Sequence, residues 1–328
     1  MDAQRTRVSR RLRSVLEHVH APAAAQVEEE PVPDYALQFK DLPEDVEDMA
    51  ELIRTDGFIR FPSAITPEHA DQLVANIFAL KPEQRWNDGF PADGPDAEYG
   101  PHLVGTELEG THVLGDYHLK NMWNRHVDFL NLVDRYPVCD TVEAVMGGDA
   151  HIIGLTGWVT GPGRADQGLH LDYLPLEVPE DILRSGRVVV PVMIMTAHYY
   201  LDDVDEELGP TKFIPGSHLA GRGPTAEEGE SDSYNGVPAK SILARKGDCV
   251  MFRSDVWHRG SKNTSDRTRH IIQVHYGNRW TDNRRKYTDP NGSGESYDVF
   301  FPVDPAIFAA ANPRQRRIIG CHAGGAFG

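Results

Sequence analysis

The residues of this chain best suited to chemistry are His170-Leu171-Asp172, His258 in Asp-Val-Trp-His-Arg-Gly, and Arg269 in Asp-Arg-Thr-Arg-His. In extended backbone successive side chains alternate faces, so the i, i+2 spacing turns the His170 imidazole and the Asp172 carboxylate the same way and Leu171 the other. A second imidazole from a distant strand, that of His258, completes two imidazoles and one carboxylate on one face of an octahedron. Three positions stay open, which is the ligand set of a non-haem Fe(II) centre. His-x-Asp alone is weak, because 15 His and 50 acidic residues generate it by chance. Its companions add the weight. His258 follows the short apolar strand after Lys246-Gly247-Asp248, and Arg269 opens the apolar run Ile271-Ile272-Gln273-Val274 eleven residues later. On a neighbouring antiparallel strand that guanidinium fork would hold a carboxylate bidentately inside a pocket.

Each of these residues has a competitor. The His-x-Asp pair alone would equally serve as a buried imidazole bonded to a carboxylate. His198 and His218 are rival ligands, although His198 lies in an apolar strand beside Tyr199 and Tyr200, and His218 ends a Pro-Gly-Ser-His turn. Arg267 has the same strand parity as Arg269 and competes as the carboxylate clamp. Trp158, Tyr173, Tyr199 and His198 flank the proposed site in sequence or on adjacent strands and are candidate walls of a substrate pocket.

The ordered set, with Leu201-Asp202-Asp203-Val204-Asp205 running into Gly209-Pro210-Thr211 and then Ile214-Pro215-Gly216-Ser217-His218, resembles the phytanoyl-CoA dioxygenase family of Fe(II)/2-oxoglutarate oxygenases. The resemblance covers roughly residues 44 to 280. It implies that His170, Asp172 and His258 are the iron ligands and catalytic residues, and that Arg269 holds the distal carboxylate of 2-oxoglutarate. Thr211 and Ser261 are further cosubstrate contacts under the same resemblance. Fe(II) would be the metal, 2-oxoglutarate the cosubstrate and O2 the oxidant, in hydroxylation of an unactivated C–H bond of a small metabolite with release of succinate and CO2. In one respect the chain departs from the pattern: several relatives carry a hydroxyl residue two positions after the distal histidine, where Gly260 stands here, with Ser261 one step on. Asp172 favours hydroxylation over halogenation, since halogenating relatives have a small residue there, while desaturation, epoxidation and ring rearrangement use the same ligands and stay open. A non-catalytic jelly-roll metabolite-binding protein with a vestigial metal site is the alternative of a different class. A zinc hydrolase on the same ligands gives Arg269 no task.

The formal charge of −17 argues against nucleic acid and anionic membrane surfaces, both of which reward clustered Lys and Arg. The expected partner is a small molecule, with the chain a monomer or homodimer. Cys139, Cys249 and Cys321 are odd in number and far apart, so neither a disulfide framework nor a Cys-x-x-Cys zinc pair is expected, and a reducing cytoplasm fits. No apolar run has the length of a membrane span.

The elements that must position these residues follow from periodicity. Residues 1–35 combine an arginine-rich amphipathic start with a Pro- and Glu-rich linker, and residues 36–328 form a single oxygenase domain with its core at about 150–280. Leu42, Val46, Met49, Ala50 and Ile53 share a helical face ending at Gly57. Phe58–Phe61 alternates as a strand, and Thr66-Pro67-Glu68 caps a helix carrying Leu73, Val74, Ile77 and Leu80. A long Gly- and Pro-rich loop spans 87–118 and carries His102, His112 and His118; helices follow over about 122–133 and 138–146. From His151 short strands take over. One is expected over 151–160 and one over 188–197, apolar on both faces, while 219–238 lacks apolar pattern and reads as a mobile surface loop. The fold class expected is α+β, mainly β: a double-stranded β-helix, or jelly roll of cupin type, with packing helices from the N-terminal half. The basic clusters after Trp280 are expected to make local ion pairs.

Overall fold

The computed structural model describes residues 42–79, 116–119, 122–278, 281, 285–288, 296–299 and 305–319. The N-terminal arm, His102, His112, Leu80, Arg284 and Cys321 lie outside them, and of His118 only the backbone is described.

Local chemistry starts and stops the N-terminal elements as the sequence predicts. Helix α1 (Val46–Thr55) is capped by Asp45, whose side chain accepts from the Glu47 N–H, and buries Met49, Ala50 and Ile53. Strand β1 (Phe58–Phe61) follows Gly57. Helix α2 (Pro67–Ala79) buries Ala70, Leu73 and Ile77, and the Thr66 hydroxyl accepts from the His69 N–H at 3.2 Å. The helical region after β2 (Asp116–Leu119) is more broken than expected, with a 3-10 turn at Met122–Asn124, α3 (Val127–Leu130) and α4 (Val138–Met146), which stops at Gly147.

Six strands make the larger sheet, in the order β1, β9 (Cys249–Arg253), β4 (Ile194–Tyr200), β11 (Arg269–Gly277), β3 (His151–Thr160) and β2. All pairings within it are antiparallel. The smaller sheet holds β10 (His258–Gly260), β5 (Thr211–Phe213) and β8 (Lys240–Ile242). Alternation sorts the large sheet's side chains into two cores. Met195, Ala197, Tyr199, Ile272, Val274, Tyr276, Cys249 and Met251 face the helices, whereas Tyr200, Val250, Phe252 and Ile271 pack with Phe213, Ile242 and Val256 between the sheets. This is the expected mainly β architecture with an N-terminal helical layer.

Two expectations require correction. The strand predicted over 188–197 begins only at Ile194 and runs to Tyr200, and Val188 and Val189 are 39% and 79% exposed. Pro191 lacks an N–H and cannot donate to a ladder, so pairing starts beyond it. The segment 219–238 is also built. After a 3-10 turn at Ser217–Ala220, helix α6 (Ala226–Ser231; α5, Glu180–Arg184, precedes β4) carries a Thr225/Glu228 capping box and leads into a hairpin of β6 (Ser233–Tyr234) and β7 (Val237–Pro238). Its apolar residues are few but face one target: Tyr234 packs against Trp257 in a tilted arrangement with ring centroids 4.8 Å apart, and the Trp257 indole N–H donates to the Arg222 carbonyl at 2.9 Å. Arg222 in turn holds the Glu228 carboxyl down at about 2. Beyond β12 (Arg285–Thr288), β13 (Ser296–Val299) and α7 (Pro305–Ala310), helix α8 (Pro313–Ile318) docks on α4, where Arg314 pairs with Asp140 at 3.2 Å and Glu143 at 3.1 Å. Local ion pairing of that basic cluster is as expected.

Gly57 joins the helical layer to the turn that carries His258. Its φ is +92°, and a Cβ there would lie 2.2 Å from Cγ2 of Val256. Gly57→Ala should therefore lower stability by about 1–3 kcal/mol through left-handed strain and collision, measurable by thermal unfolding; an unchanged midpoint would contradict this packing.

Candidate active site

His170 and His258 meet across an isolated antiparallel bridge. The His170 N–H donates to the His258 carbonyl at 3.0 Å, and the His258 N–H returns the bond at 2.8 Å. Two residues on, the N–H of Asp172 donates to the Ser254 carbonyl at 2.9 Å. The His-x-Asp segment is thus a single bridge in otherwise irregular backbone rather than part of a continuous strand, yet the alternation survives. His170 and Asp172 line one cavity with His258, while Leu171 packs on the cluster of Trp257 and Tyr234 behind them.

The three side chains converge. Nε2 of His170 lies 3.8 Å and Nε2 of His258 3.6 Å from Oδ1 of Asp172, and the potential ligand atoms fall within 4.8 Å of one another. Each imidazole uses its other nitrogen on backbone: Nδ1 of His170 is 2.7 Å from the Gly168 carbonyl, and Nδ1 of His258 is 3.0 Å from that of Val256. A carbonyl only accepts, so both rings carry their proton on Nδ1 and present the Nε2 lone pair to the cavity. Burial holds His258 below the ordinary imidazole range, which keeps that lone pair free. Neutral imidazoles with fixed tautomers beside a carboxylate suit a divalent cation, and the carbonyls supply the orienting contacts such ligands need.

The opposite wall is the large sheet. Arg269, 3% exposed, donates through Nη1 to the Gly209 carbonyl and through Nη2 to the Thr160 hydroxyl at 3.3 Å. It sits on β11 in the large sheet while His258 sits on β10 in the small one. The expected neighbouring strands are in fact facing sheets, which sets the guanidinium across the cavity from the triad. Gly209 is held at φ +81°, and a Cβ there would come within 2.6 Å of the Ser261 carbonyl.

Trp158, Tyr173, His198 and Thr211 line the same cavity of about 340 Å3. Tyr199 does not. Its neighbours in β4 turn inward and it turns outward, into the helical core, where its hydroxyl donates to the Leu132 carbonyl at 3.1 Å. Ser261 also stands off the lining; its backbone N–H donates to the Pro210 carbonyl at 2.9 Å and its side chain is buried beside the cavity rather than in it. The rivals separate cleanly. Arg267 is at the surface, paired with Asp205 at 2.6 Å. His218 is off the cavity, held neutral by burial and then by Arg253. His198 is held well below the usual imidazole range by burial and then by His258, His275 and Arg269, and it bonds Gln273 at 3.0 Å.

Sequence reasoning missed Gln167, Thr196, Gln273 and His275, all in the lining. The last three share strand parity with His198 or Arg269, a signal that was available. Gln167 was not detectable by spacing. Its Oε1 accepts from the Gly260 N–H at 2.8 Å, and a Cβ at 260 would meet Nη1 of Arg164 at 2.8 Å and Oε1 of Gln167 at 2.9 Å. The space that a hydroxyl residue would need at 260 is filled from the other segment.

Since Tyr199 serves the helical core, Tyr199→Phe should cost about 1–2 kcal/mol by stranding the Leu132 carbonyl and leave ligand binding at the cavity unchanged. Calorimetric unfolding and a binding titration on the same variant check both halves.

A sequence profile of the phytanoyl-CoA dioxygenase (PhyH) family matches residues 53–271. Dioxygenase cdmA of Talaromyces verruculosus is 25% identical over 227 residues, which span 67% of this chain and 68% of that protein. Among solved structures, HygX of Streptomyces hygroscopicus with nickel, 2-oxoglutarate and hygromycin B bound has a TM-score of 0.52 at 16% identity, covering 76% of this chain and 95% of its own. The epimerase SnoN in complex with Fe3+, alpha ketoglutarate and nogalamycin RO gives 0.50 at 17% identity, covering 71% and 83%. At such identities the structural likeness speaks for the fold, a double-stranded β-helix core. The profile match extends over well more than half of the 328 residues and contains His170, Asp172, His258 and Arg269; the chain belongs to the phytanoyl-CoA dioxygenase family of Fe(II)/2-oxoglutarate oxygenases.

Proposed function

We propose that this dioxygenase hydroxylates an unactivated C–H bond of a small metabolite, with His170, Asp172 and His258 as the Fe(II) ligands and Arg269 as the clamp for 2-oxoglutarate. The observation that carries the reading is the convergence of the triad on one wall of a cavity whose facing wall presents a buried guanidinium. The donor set fits the ion: two Nε2 lone pairs freed by backbone bonds at Nδ1, and one carboxylate within 3.8 Å of both. Bound together, Fe(II), 2-oxoglutarate and O2 supply the oxidising power, converting R–H to R–OH while the cosubstrate leaves as succinate and CO2.

The chain's own residues orient and shield. Arg269 neutralises the far carboxylate of 2-oxoglutarate, and the Gly209 carbonyl and Thr160 hydroxyl hold its fork in plane. Thr211 offers a hydroxyl on the small sheet, opposite Gly260 in the β5–β10 pairing. Gln167, in the lining, spends its amide oxygen on Gly260 and keeps its NH2 group as a donor. Ile153, Trp158, Ile194 and Ile271 supply apolar wall that keeps water from the reacting carbon. Asp172 keeps a protein carboxylate where chloride binds in halogenating relatives, which favours hydroxylation. Structures of similar fold that hold nogalamycin RO and hygromycin B support a secondary metabolite as the substrate class.

Asp172→Ala and His258→Ala are each expected to abolish formation of succinate from 2-oxoglutarate, followed by chromatography of the organic acids; near-wild-type turnover in either would overturn the ligand assignment. Arg269→Leu should weaken 2-oxoglutarate binding by roughly 2–4 kcal/mol, the cost of removing a buried charge-assisted contact. Arg267→Leu should leave it unchanged, and the reverse ranking would move the clamp to Arg267.

A further inference from the structure

The members of the triad hang from one turn. Between β9 and β10 the Ser254 carbonyl accepts from the N–H groups of Asp172 and Tyr173 at 2.9 and 3.1 Å, and the Val256 carbonyl holds Nδ1 of His258. His170 is tied to the same turn through its two backbone bonds with His258. The turn closes on itself where the Val256 N–H donates to the Arg253 carbonyl at 3.1 Å. A side-chain fork closes it a second time: Nε and Nη2 of Arg253 donate to the two carboxylate oxygens of Asp255 at 2.6 and 2.8 Å. The side chains of this pair are 7% and 8% exposed. Arg253 also reaches out of the turn, its backbone N–H donating to Gly57 at 3.0 Å and its Nη1 to the Arg54 carbonyl at 3.4 Å.

A buried ion pair is a poor way to gain stability. Desolvating both charges offsets most of their attraction, and apolar residues of similar volume often do as well or better. A bidentate fork does fix geometry, because two parallel bonds set distance and plane together. Here the paired residues flank a single amino acid, Ser254, so the fork constrains the backbone whose carbonyl receives Asp172. Neither Arg253 nor Asp255 lines the cavity, so neither meets cosubstrate or substrate.

We propose that the Arg253–Asp255 pair is a positioning device for the metal centre: it holds the Ser254 and Val256 carbonyls where Asp172 and His258 hang from them, and so sets the bite of the triad. The proposal rests on His170, Asp172 and His258 being the metal ligands. It assigns the pair to ligand geometry rather than to fold stability, and the two roles part under mutation.

The test is anaerobic titration of the full chain with Co(II), reading affinity by calorimetry and ligand geometry from the visible d–d spectrum, alongside thermal unfolding of the metal-free protein. The variant with both Arg253→Met and Asp255→Leu removes both charges together. It should unfold close to the wild type, yet bind Co(II) roughly 10- to 100-fold more weakly, as loss of an orienting contact does at metal sites, with an altered spectrum. Arg253→Lys, which keeps the charge and loses the fork, should fall between them. If the double variant folds and matches wild-type affinity within about threefold with an unchanged spectrum, the proposal is wrong. Should that variant fail to fold, Asp255→Asn decides by the same criterion. Absence of Co(II) binding by the wild type would instead overturn the ligand assignment, and this proposal with it.

Discussion

Two backbone hydrogen bonds between His170 and His258 hold together the proposed metal site of this molecule. The residues are 88 positions apart, counting from 170 to 258, and nothing local would bring them into contact. Their bridge brings two imidazoles side by side with ring centroids 4.5 Å apart. Each ring then gives one nitrogen to the main chain and keeps the other for the cavity. The Gly168 and Val256 carbonyls fix the two imidazoles, and the Ser254 carbonyl fixes the backbone of Asp172, so the site is organised before any ion arrives. Preorganisation of this kind is what separates a metal site from a chance cluster of polar groups.

The second constraint is the separation of the sheets. A triad and a guanidinium on one face would crowd and repel the cation to be bound; placed on facing sheets they leave room for a dicarboxylic acid between them. Apolar side chains of both sheets, Phe213 and Phe252 among them, pack directly against His258 with centroids 5.6 and 4.8 Å away. Those rings exclude water behind the imidazole and lower the local dielectric, which strengthens the attraction between bound charges in the cavity. Arg269 needs Gly209 for the same reason of space, since only a glycine fits the approach of the 209 carbonyl between Ser261 and the guanidinium.

Much of this was legible in the sequence, and for identifiable reasons. The i, i+2 spacing of His170 and Asp172 encodes a shared face even where no regular strand forms, because one bridge is enough to keep the backbone extended. The apolar strand leading to His258 and the one led by Arg269 are both present as expected. The cap at Thr66 and the stop at Gly57 were likewise readable from local rules. What could not be read depended on partners distant in sequence. Tyr199 and His198 look equally suited to a pocket until the facing layer is known, since alternation tells which residues share a face but not which face is the cavity. The hairpin in 219–238 forms because Tyr234 finds Trp257, a contact no local pattern announces. Gln167 reached the lining by filling the space beside Gly260, and a departure from the family pattern on one segment was answered by a side chain on another.

The most direct test of the central claim is an anaerobic titration of the wild-type chain with Fe(II) and then 2-oxoglutarate, followed by visible absorption. If His170, Asp172 and His258 hold the metal and Arg269 holds the acid across from it, a metal-to-ligand charge-transfer band grows in on adding 2-oxoglutarate, saturates at one equivalent per chain, and is lost in His258→Ala. A wild-type protein that gives no such band, or a His258→Ala protein that gives the same one, would contradict the account.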